Sequence, residues 1–177
     1  MSVGTGCSAS NRHVEKRSAL GDSDGQLTIY LIEDDPDDQG LALRALRSSQ
    51  LPVKVEVAKD GVEALKILGI DDDFDYAPAR LPDLIICDLK MPRLRGDEVL
   101  SKAKSSPATQ AVPFVMLSSS GHPSDVELCM GLGANAYCLK PVDFDSYIRC
   151  VQAIARRWLV VQQSHPECML KCAEELV

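Results

Sequence analysis

Apolar and polar positions along this chain switch repeatedly between a strand-like and a helix-like period. Leu27-Thr28-Ile29-Tyr30-Leu31-Ile32 is rich in β-favouring residues and predicts a first strand. It stops abruptly at Glu33-Asp34-Asp35-Pro36-Asp37-Asp38, where Asp35 followed by Pro36 reads as an N-cap and first helical residue. Ala42, Leu43 and Leu46 give the helix that follows its apolar stripe. Val53-Lys54-Val55-Glu56-Val57 alternates as a second strand, and Asp60-Gly61-Val62-Glu63 has capping-box spacing ahead of Ala64, Leu65 and Leu68. Gly69 to Pro82 is acidic and turn-rich, which predicts a loop. Leu84-Ile85-Ile86-Cys87 is a short apolar run that closes on Asp88, with Leu89-Lys90-Met91-Pro92 after it. Gly96 opens a third helix carrying Val99 and Leu100. Phe114-Val115-Met116-Leu117 predicts a fourth strand ending in the small polar loop Ser118-Ser119-Ser120-Gly121. A fourth helix with Val126, Leu128 and Cys129 ends at Gly131 or Gly133, and a short fifth strand runs from Asn135 to Leu139. After Lys140-Pro141, a fifth helix from about Asp143 places Phe144, Tyr147, Ile148, Val151, Ile154, Ala155 and Trp158 at helical spacing.

Five strand–helix alternations demand an α/β fold with a parallel sheet and helices on both faces, because the crossovers are right-handed and cover both sides. The chain of 177 residues fits one domain, here 26–163 with an extended last helix. Residues 1–25 are rich in Ser, Gly and charge and read as a disordered tail. Residues 164–177 form a C-terminal extension that could continue as helix. No internal repeat and no second domain are visible.

Charge narrows the partners. A net charge of −7 argues against general attraction to nucleic acid or an anionic membrane surface. No apolar run approaches the roughly 20 residues that cross a bilayer, and the N-terminus lacks the apolar core of a secretory signal. The expected location is cytoplasmic. The seven cysteines are scattered without a C-x-x-C pair, so free reduced thiols are expected rather than a zinc or redox motif.

The candidate chemistry lies at the carboxyl ends of the strands, which in an open parallel sheet converge on one crevice. The first strand ends in Glu33 and Asp34, the third in Asp88, the fourth in Ser118 and the fifth in Lys140. Three carboxylates brought together raise one another's pKa, and a hard divalent cation relieves the repulsion. Oxygen ligands without His or Cys favour Mg²⁺ over zinc. Asp88 is then a carboxylate nucleophile for phosphorus, Lys140 a point charge for a phosphoryl oxygen and Ser118 a hydroxyl donor. Taken singly, each has an ordinary explanation. Asp at a strand end is commonly a turn or cap residue, an acidic run favours a helix start, and a Ser in a serine loop or a Lys before Pro is commonly surface. The argument rests on four strand ends carrying complementary chemistry in order.

Leu31-Ile32-Glu33-Asp34-Asp35-Pro36, Asp88-Leu89-Lys90-Met91-Pro92 with Gly96-Asp97, Met116-Leu117-Ser118 and Gly133-Ala134-Asn135-Ala136-Tyr137-Cys138-Leu139-Lys140-Pro141 together resemble the receiver domain of two-component response regulators, from about Leu27 to Trp158. The resemblance implies a flavodoxin-like, doubly wound five-stranded parallel sheet in the order 2-1-3-4-5 with five helices. It implies Mg²⁺-dependent phosphorylation of Asp88 by a phosphohistidine donor, and slow self-dephosphorylation. Mn²⁺ or Ca²⁺ could replace the Mg²⁺. Carried over by position, Glu33, Asp34, Asp88 and the backbone carbonyl of Lys90 hold the metal. Ser118 is the switch hydroxyl, and Tyr137 the aromatic that turns inward when Ser118 moves. The Lys140-Pro141 bond is often cis in such domains.

The long acidic loop, the fifth helix continuing past Trp158 and the absence of a following DNA-reading or catalytic module are similar to the small single-domain regulators of phytochrome-type histidine kinases. Those often dimerise through the fourth helix, fifth strand and fifth helix. Here Trp158, Leu159, Val160 and Val161 surround most of a helical turn with apolar side chains, which need cover from a partner chain or from 167–176. The segment after Pro166 departs from that subfamily. The expected role is a signalling phosphoacceptor rather than an enzyme, with a histidine kinase and a second copy as partners. Two alternatives stand beside it. A phosphatase using an aspartyl-phosphate would want a second Asp two residues after the nucleophile, where this chain has Lys90. A phosphate-independent scaffold would not need the full acidic set with Ser118 and Lys140.

Overall fold

The protein is described here from a computed structural model covering residues 26–70 and 80–164. The proposed tail, most of the acidic loop and the C-terminal extension lie outside the described residues. Five parallel strands, β1 (Leu27–Ile32), β2 (Val53–Ala58), β3 (Leu84–Cys87), β4 (Phe114–Ser118) and β5 (Ala136–Leu139), form one sheet in the order β2-β1-β3-β4-β5. The expected flavodoxin-like order is the observed one. The helices are α1 (Pro36–Ser48), α2 (Gly61–Leu68), α3 (Gly96–Ser105), α4 (Pro123–Gly131) and α5 (Phe144–Ser164).

Strand alternation sorts the core into two layers. Tyr30, Ile32, Ile85, Cys87, Phe114 and Met116 face one way and meet Leu65 and Leu68 of α2, Val99 and Leu100 of α3, and Cys129 of α4. Ile29, Leu31, Leu84, Ile86, Val115 and Leu117 face the other way and meet Ala42, Ala45 and Leu46 of α1, with Tyr147, Val151, Ile154, Ala155 and Leu159 of α5. The central strands β1, β3 and β4 are therefore apolar on both faces, as buried parallel strands are. The same alternation sends Tyr137 to the first layer and its neighbour Cys138 to the second.

The helix starts follow the capping chemistry. Asp35 Oδ1 accepts from the amides of Asp37 and Asp38, with Pro36 at the first helical position. Asp60 Oδ1 accepts from Val62 and Glu63, while Glu63 reaches past Asp60 to the amide of Lys59. Arg93, with a positive φ of 67° in the loop after β3, pairs with the same Asp60, tying that loop to the start of α2.

Three expectations change. Leu128 and Phe144 are exposed rather than part of the core stripe, the Phe144 ring instead lying under the Arg44 guanidinium at 5.0 Å. Leu159 is buried and Trp158 half-buried against the α1–α5 layer, so these two members of the apolar turn are covered in part by their own domain, while the side chains of Val160 and Val161 lie outside the described ones. Among the described residues all peptide bonds are trans, Lys140-Pro141 included.

Gly96 is the most tightly enclosed of the described glycines. A Cβ there would stand 2.0 Å from the carbonyl oxygen of Asp88 and 3.0 Å from Cα of Leu89. The Gly96 amide also donates to the Leu89 carbonyl at 3.0 Å. The loop carrying Asp88 folds directly onto the first residue of α3, and every atom in the way is backbone. Gly96→Ala is expected to lower stability by roughly 1–3 kcal/mol, as for overpacked sites, measured by urea unfolding. An unchanged midpoint would show that the loop has slack at this position.

Candidate functional site

Burial by the sheet sets the electrostatics of the carboxyl edge. Glu33 directly follows β1 and is 2% exposed; Asp88 directly follows β3 and is 7% exposed. The Asp88 amide donates to the Ile32 carbonyl at 2.9 Å, which ties the two strand ends together. Asp34 is half-buried beside them. One carboxylate oxygen from each of Glu33, Asp34 and Asp88 lies within 4.8 Å of the others. The expected trio is thus assembled.

Lys140 enters from the end of β5. Its ammonium donates to Glu33 Oε2 and to Asp38 Oδ2, both at 2.8 Å, and stands 3.7 Å from Asp88 Oδ1. Its side chain is 10% exposed, so this is a buried charge cluster rather than a surface pair. Asp88 Oδ1 is fully buried and accepts no hydrogen bond. A buried carboxylate oxygen without a partner is costly, and the arrangement leaves it free for a cation or an incoming electrophile. The donor set is all oxygen, with two nearly buried carboxylates and one more open one. That chemistry fits a hard divalent ion. Cys87, the nearest thiol, turns instead to the Asp88 backbone carbonyl at 3.1 Å, and burial together with Asp88 and Glu33 pushes its pKa well up, so it stays a neutral thiol.

Burial pushes the Glu33 carboxyl up to about 7, against the Lys140 hydrogen bond and charge, with Asp88 and Asp38 adding to the rise. Lys140 behaves in the opposite sense. Burial opposes its charge, yet the hydrogen bonds to Asp38 and Glu33 outweigh it and hold the ammonium above its ordinary range. Glu33 is therefore the member of the pair that titrates near neutrality, while Lys140 stays charged.

Ser118 is the last residue of β4 and is fully buried. Its Oγ accepts from the Ser120 amide at 3.2 Å. Tyr137 sits on β5 with its ring against the α2–α3–α4 layer, and its hydroxyl donates to the Ser120 carbonyl at 2.7 Å. The two expected switch residues thus meet through one residue, Ser120, whose own hydroxyl donates to Asp125 of α4. Tyr137 is half-buried and already turned in over this loop. Lys90 lies two residues past Asp88 with its side chain exposed, between the buried Leu89 and Met91 that fix the loop.

Three contributors escaped the sequence reading. Asp38 stands in the acidic run, but nothing in the run singles it out as a partner of Lys140, which lies 102 positions away. Ser120 looked like one serine of three. Gly96 was legible as a helix start, and its contact with Asp88 was not. The signals available were weak: Asp38 falls in the first turn of α1, facing the sheet edge.

The chain also matches known proteins. Residues 29–152 fit the family model described as the response regulator receiver domain. The response regulator Rcp1 of Synechocystis sp. is 30% identical over 131 residues, covering 74% of this chain and 88% of Rcp1. The crystal structure of the phosphorylated cyanobacterial phytochrome response regulator RcpA superposes with a TM-score of 0.71 at 34% identity, covering 77% of this chain and 96% of RcpA. The structure of the Mn²⁺-bound form of Rcp1 gives 0.68 at 30% identity, covering 75% and 94%. The chain belongs to the response regulator receiver domain family, and its similarity is to single-domain regulators of phytochrome signalling. No described helix is long and apolar enough to cross a membrane.

The raised Glu33 pKa gives a signed test. A carboxyl that titrates near 7 when folded and near 4.5 when unfolded stabilises the metal-free fold in its protonated form. Its contribution is full below pH 4.5 and is lost as pH rises to about 7. A divalent ion at the site competes with that proton. Adding Mg²⁺ near pH 7 is expected to release protons, read by calorimetry in buffers of different ionisation enthalpy, and Glu33→Gln is expected to remove the release. Release that persists in Glu33→Gln would mean that another group carries the proton.

Proposed function

We propose that this protein is a phosphorylation-switched signalling module in which Asp88 accepts a phosphoryl group from the phosphohistidine of a histidine kinase. The single observation that carries this reading is Asp88 Oδ1: buried, without a hydrogen-bond partner, 3.7 Å from a charged lysine and flanked by Glu33 and Asp34. A structural Asp would have its oxygens satisfied.

Glu33, Asp34, Asp88 and the backbone carbonyl of Lys90 are the residues that would hold Mg²⁺, or Mn²⁺ or Ca²⁺ in its place. When bound, the ion neutralises the carboxylates and the phosphoryl oxygens. Asp88 supplies the attacking oxygen; its bond to phosphorus forms as the phosphorus–nitrogen bond to the donor imidazole breaks. Lys140 offers its charge to a phosphoryl oxygen, loosening its hold on Glu33 and Asp38. The Ser118 hydroxyl donates to another phosphoryl oxygen. As it does so it gives up the Ser120 amide, and Tyr137, bonded to the Ser120 carbonyl, follows the loop. The signal therefore reaches α4 and β5 through Ser120 and Asp125. Position +2 from Asp88 is Lys90, whose exposed side chain offers no carboxylate for the phosphatase alternative.

The reading surface is the face formed by α4, β5 and the start of α5. The exposed large apolar residues among those described are Leu128 and Met130 of α4, Leu139 of β5, Val142 of the loop after it and Phe144 at the start of α5. Their grouping supports self-association, or docking of a target protein, at this face. The similarity to phytochrome regulators supports a phytochrome-type kinase as the donor. The acidic balance supports a reading without nucleic acid.

Acetyl phosphate with Mg²⁺ is expected to add one hydroxylamine-labile phosphoryl group, seen by intact mass, and Asp88→Asn is expected to take up none. Labelling that persists in the variant would remove Asp88 from the role. For the reading surface, sedimentation at micromolar concentration is expected to show a dimer whose fraction changes with beryllofluoride and falls in Leu139→Ser. A monomer under both conditions would leave the face to a different partner.

A further inference from the structure

β2 closes one edge of the sheet and pairs with β1 alone. Val53 and Val55 face the α1–α5 layer, yet both are only partly buried. Between β2 and α1 lies a groove of about 330 Å³. Leu43 and Leu46 of α1, Leu51 of the turn after it, and Val53 and Val55 form its apolar wall, and the exposed Arg47 stands among them. The groove has room for a few aliphatic side chains beside a cation.

α5 delivers the chain to the end of this groove. Gln152 donates to Ser48 Oγ at 3.0 Å, and one turn further on Arg156 donates to the Ser49 carbonyl at 3.4 Å. The two helices therefore run side by side in the same direction to the end of α1, where Leu51 and Val53 follow at once. α5 continues from Arg156 to Ser164, about 12 Å further at the helical rise.

The sequence after Ser164 fits what the groove lacks. Pro166 stops a helix that reaches it and suits the first position of a new one. Met169, Cys172, Ala173 and Leu176 then recur at i, i+3, i+4 and i+7, one apolar face of a helix, while Glu167, Lys171, Glu174 and Glu175 fall on the other. Three glutamates against one lysine make the segment acidic, the sign that Arg47 attracts. Residues 167–176 as a helix would span about 15 Å, enough for the return past the end of α1. The N-terminal segment also meets this edge, since the Leu27 amide bonds the Pro52 carbonyl. It has no such apolar stripe, and its charges cancel, Arg12, Lys16 and Arg17 against Glu15, Asp22 and Asp24.

We infer that residues 167–176 form a helix that folds back past the end of α1 and seats Met169 and Leu176 in the α1–β2 groove, with its glutamates toward Arg47. Seated there, it covers Val53 and Val55 and shields the open edge of β2, which would otherwise offer unpaired backbone to another chain. The groove lies at the opposite edge of the sheet from β5, so the docked segment leaves the proposed reading surface free. The inference is independent of the role of Asp88.

The test uses the full chain under native conditions. Iodoacetamide labels the thiols over time, and mass spectrometry reads the tryptic peptides. Trypsin cuts after Lys171, so Cys172 is followed apart from Cys168. Cys172 lies on the face that is seated, and the expected result is alkylation several-fold slower than in a synthetic peptide of residues 165–177, at a rate independent of protein concentration. Leu176→Ser is expected to bring Cys172 to the rate of the peptide. On the groove side, Leu43→Asp and Arg47→Glu are expected to speed Cys172 several-fold while the buried Cys87 stays unreactive, which shows that the domain is still folded. Arg47 is exposed, so its variant decides the matter should Leu43→Asp unfold. Cys172 reacting as fast as the peptide in the unaltered protein, or staying slow in the folded groove variants, would overturn the docking. Protection that grows with protein concentration would give the segment to a second copy and overturn the fold-back.

Discussion

The site depends on one ammonium group. Lys140 Nζ bonds Glu33 from β1 and Asp38 from α1, and stands beside Asp88 from β3. Without that charge, Glu33 and Asp88 would face each other nearly buried and uncompensated. Losing one partner of a buried pair typically costs about 3–5 kcal/mol, although Glu33, which titrates near 7, can shed part of its charge by taking a proton. The cluster is thus held together by a charge that an incoming phosphoryl group also needs. In the proposed function the lysine exchanges the carboxylates for a phosphoryl oxygen, and that exchange is the physical basis of the switch.

The rest of the fold keeps that exchange local. Asp88 is fixed from behind by the Ile32 carbonyl and by the close approach of Gly96. Ser118 and Tyr137 are coupled through Ser120, the mobile element of the proposed mechanism, and the Ser120–Asp125 bond extends the path into α4. The exposed apolar side chains of α4, β5 and α5 stand at the far end of it.

The strands, the helices and the residues of the edge were legible because periodicity, caps and strand-end polarity are local properties; the sheet order came from the resemblance to receiver domains. Asp35-Pro36 and Asp60 announce helix starts, and Leu84–Cys87 can be little other than a buried strand. The contacts that decide function were not legible, since they cross long stretches of chain. Asp38 is one acid in a run until Lys140 arrives from β5. Phe144 and Leu128 fit the apolar period but face solvent, because spacing identifies a helix face without saying whether anything packs on it. Trp158, read from its spacing as part of an exposed apolar turn, is half-buried against the α1–α5 layer.

The central claim is that Asp88, and no other carboxylate of the trio, forms the bond to phosphorus. Borohydride reduction of protein phosphorylated with acetyl phosphate converts an aspartyl phosphate to homoserine, and peptide sequencing by mass spectrometry reads its position. Homoserine at position 88 alone is the predicted result. Homoserine at position 34, or none in protein that carries the phosphoryl group, would contradict it.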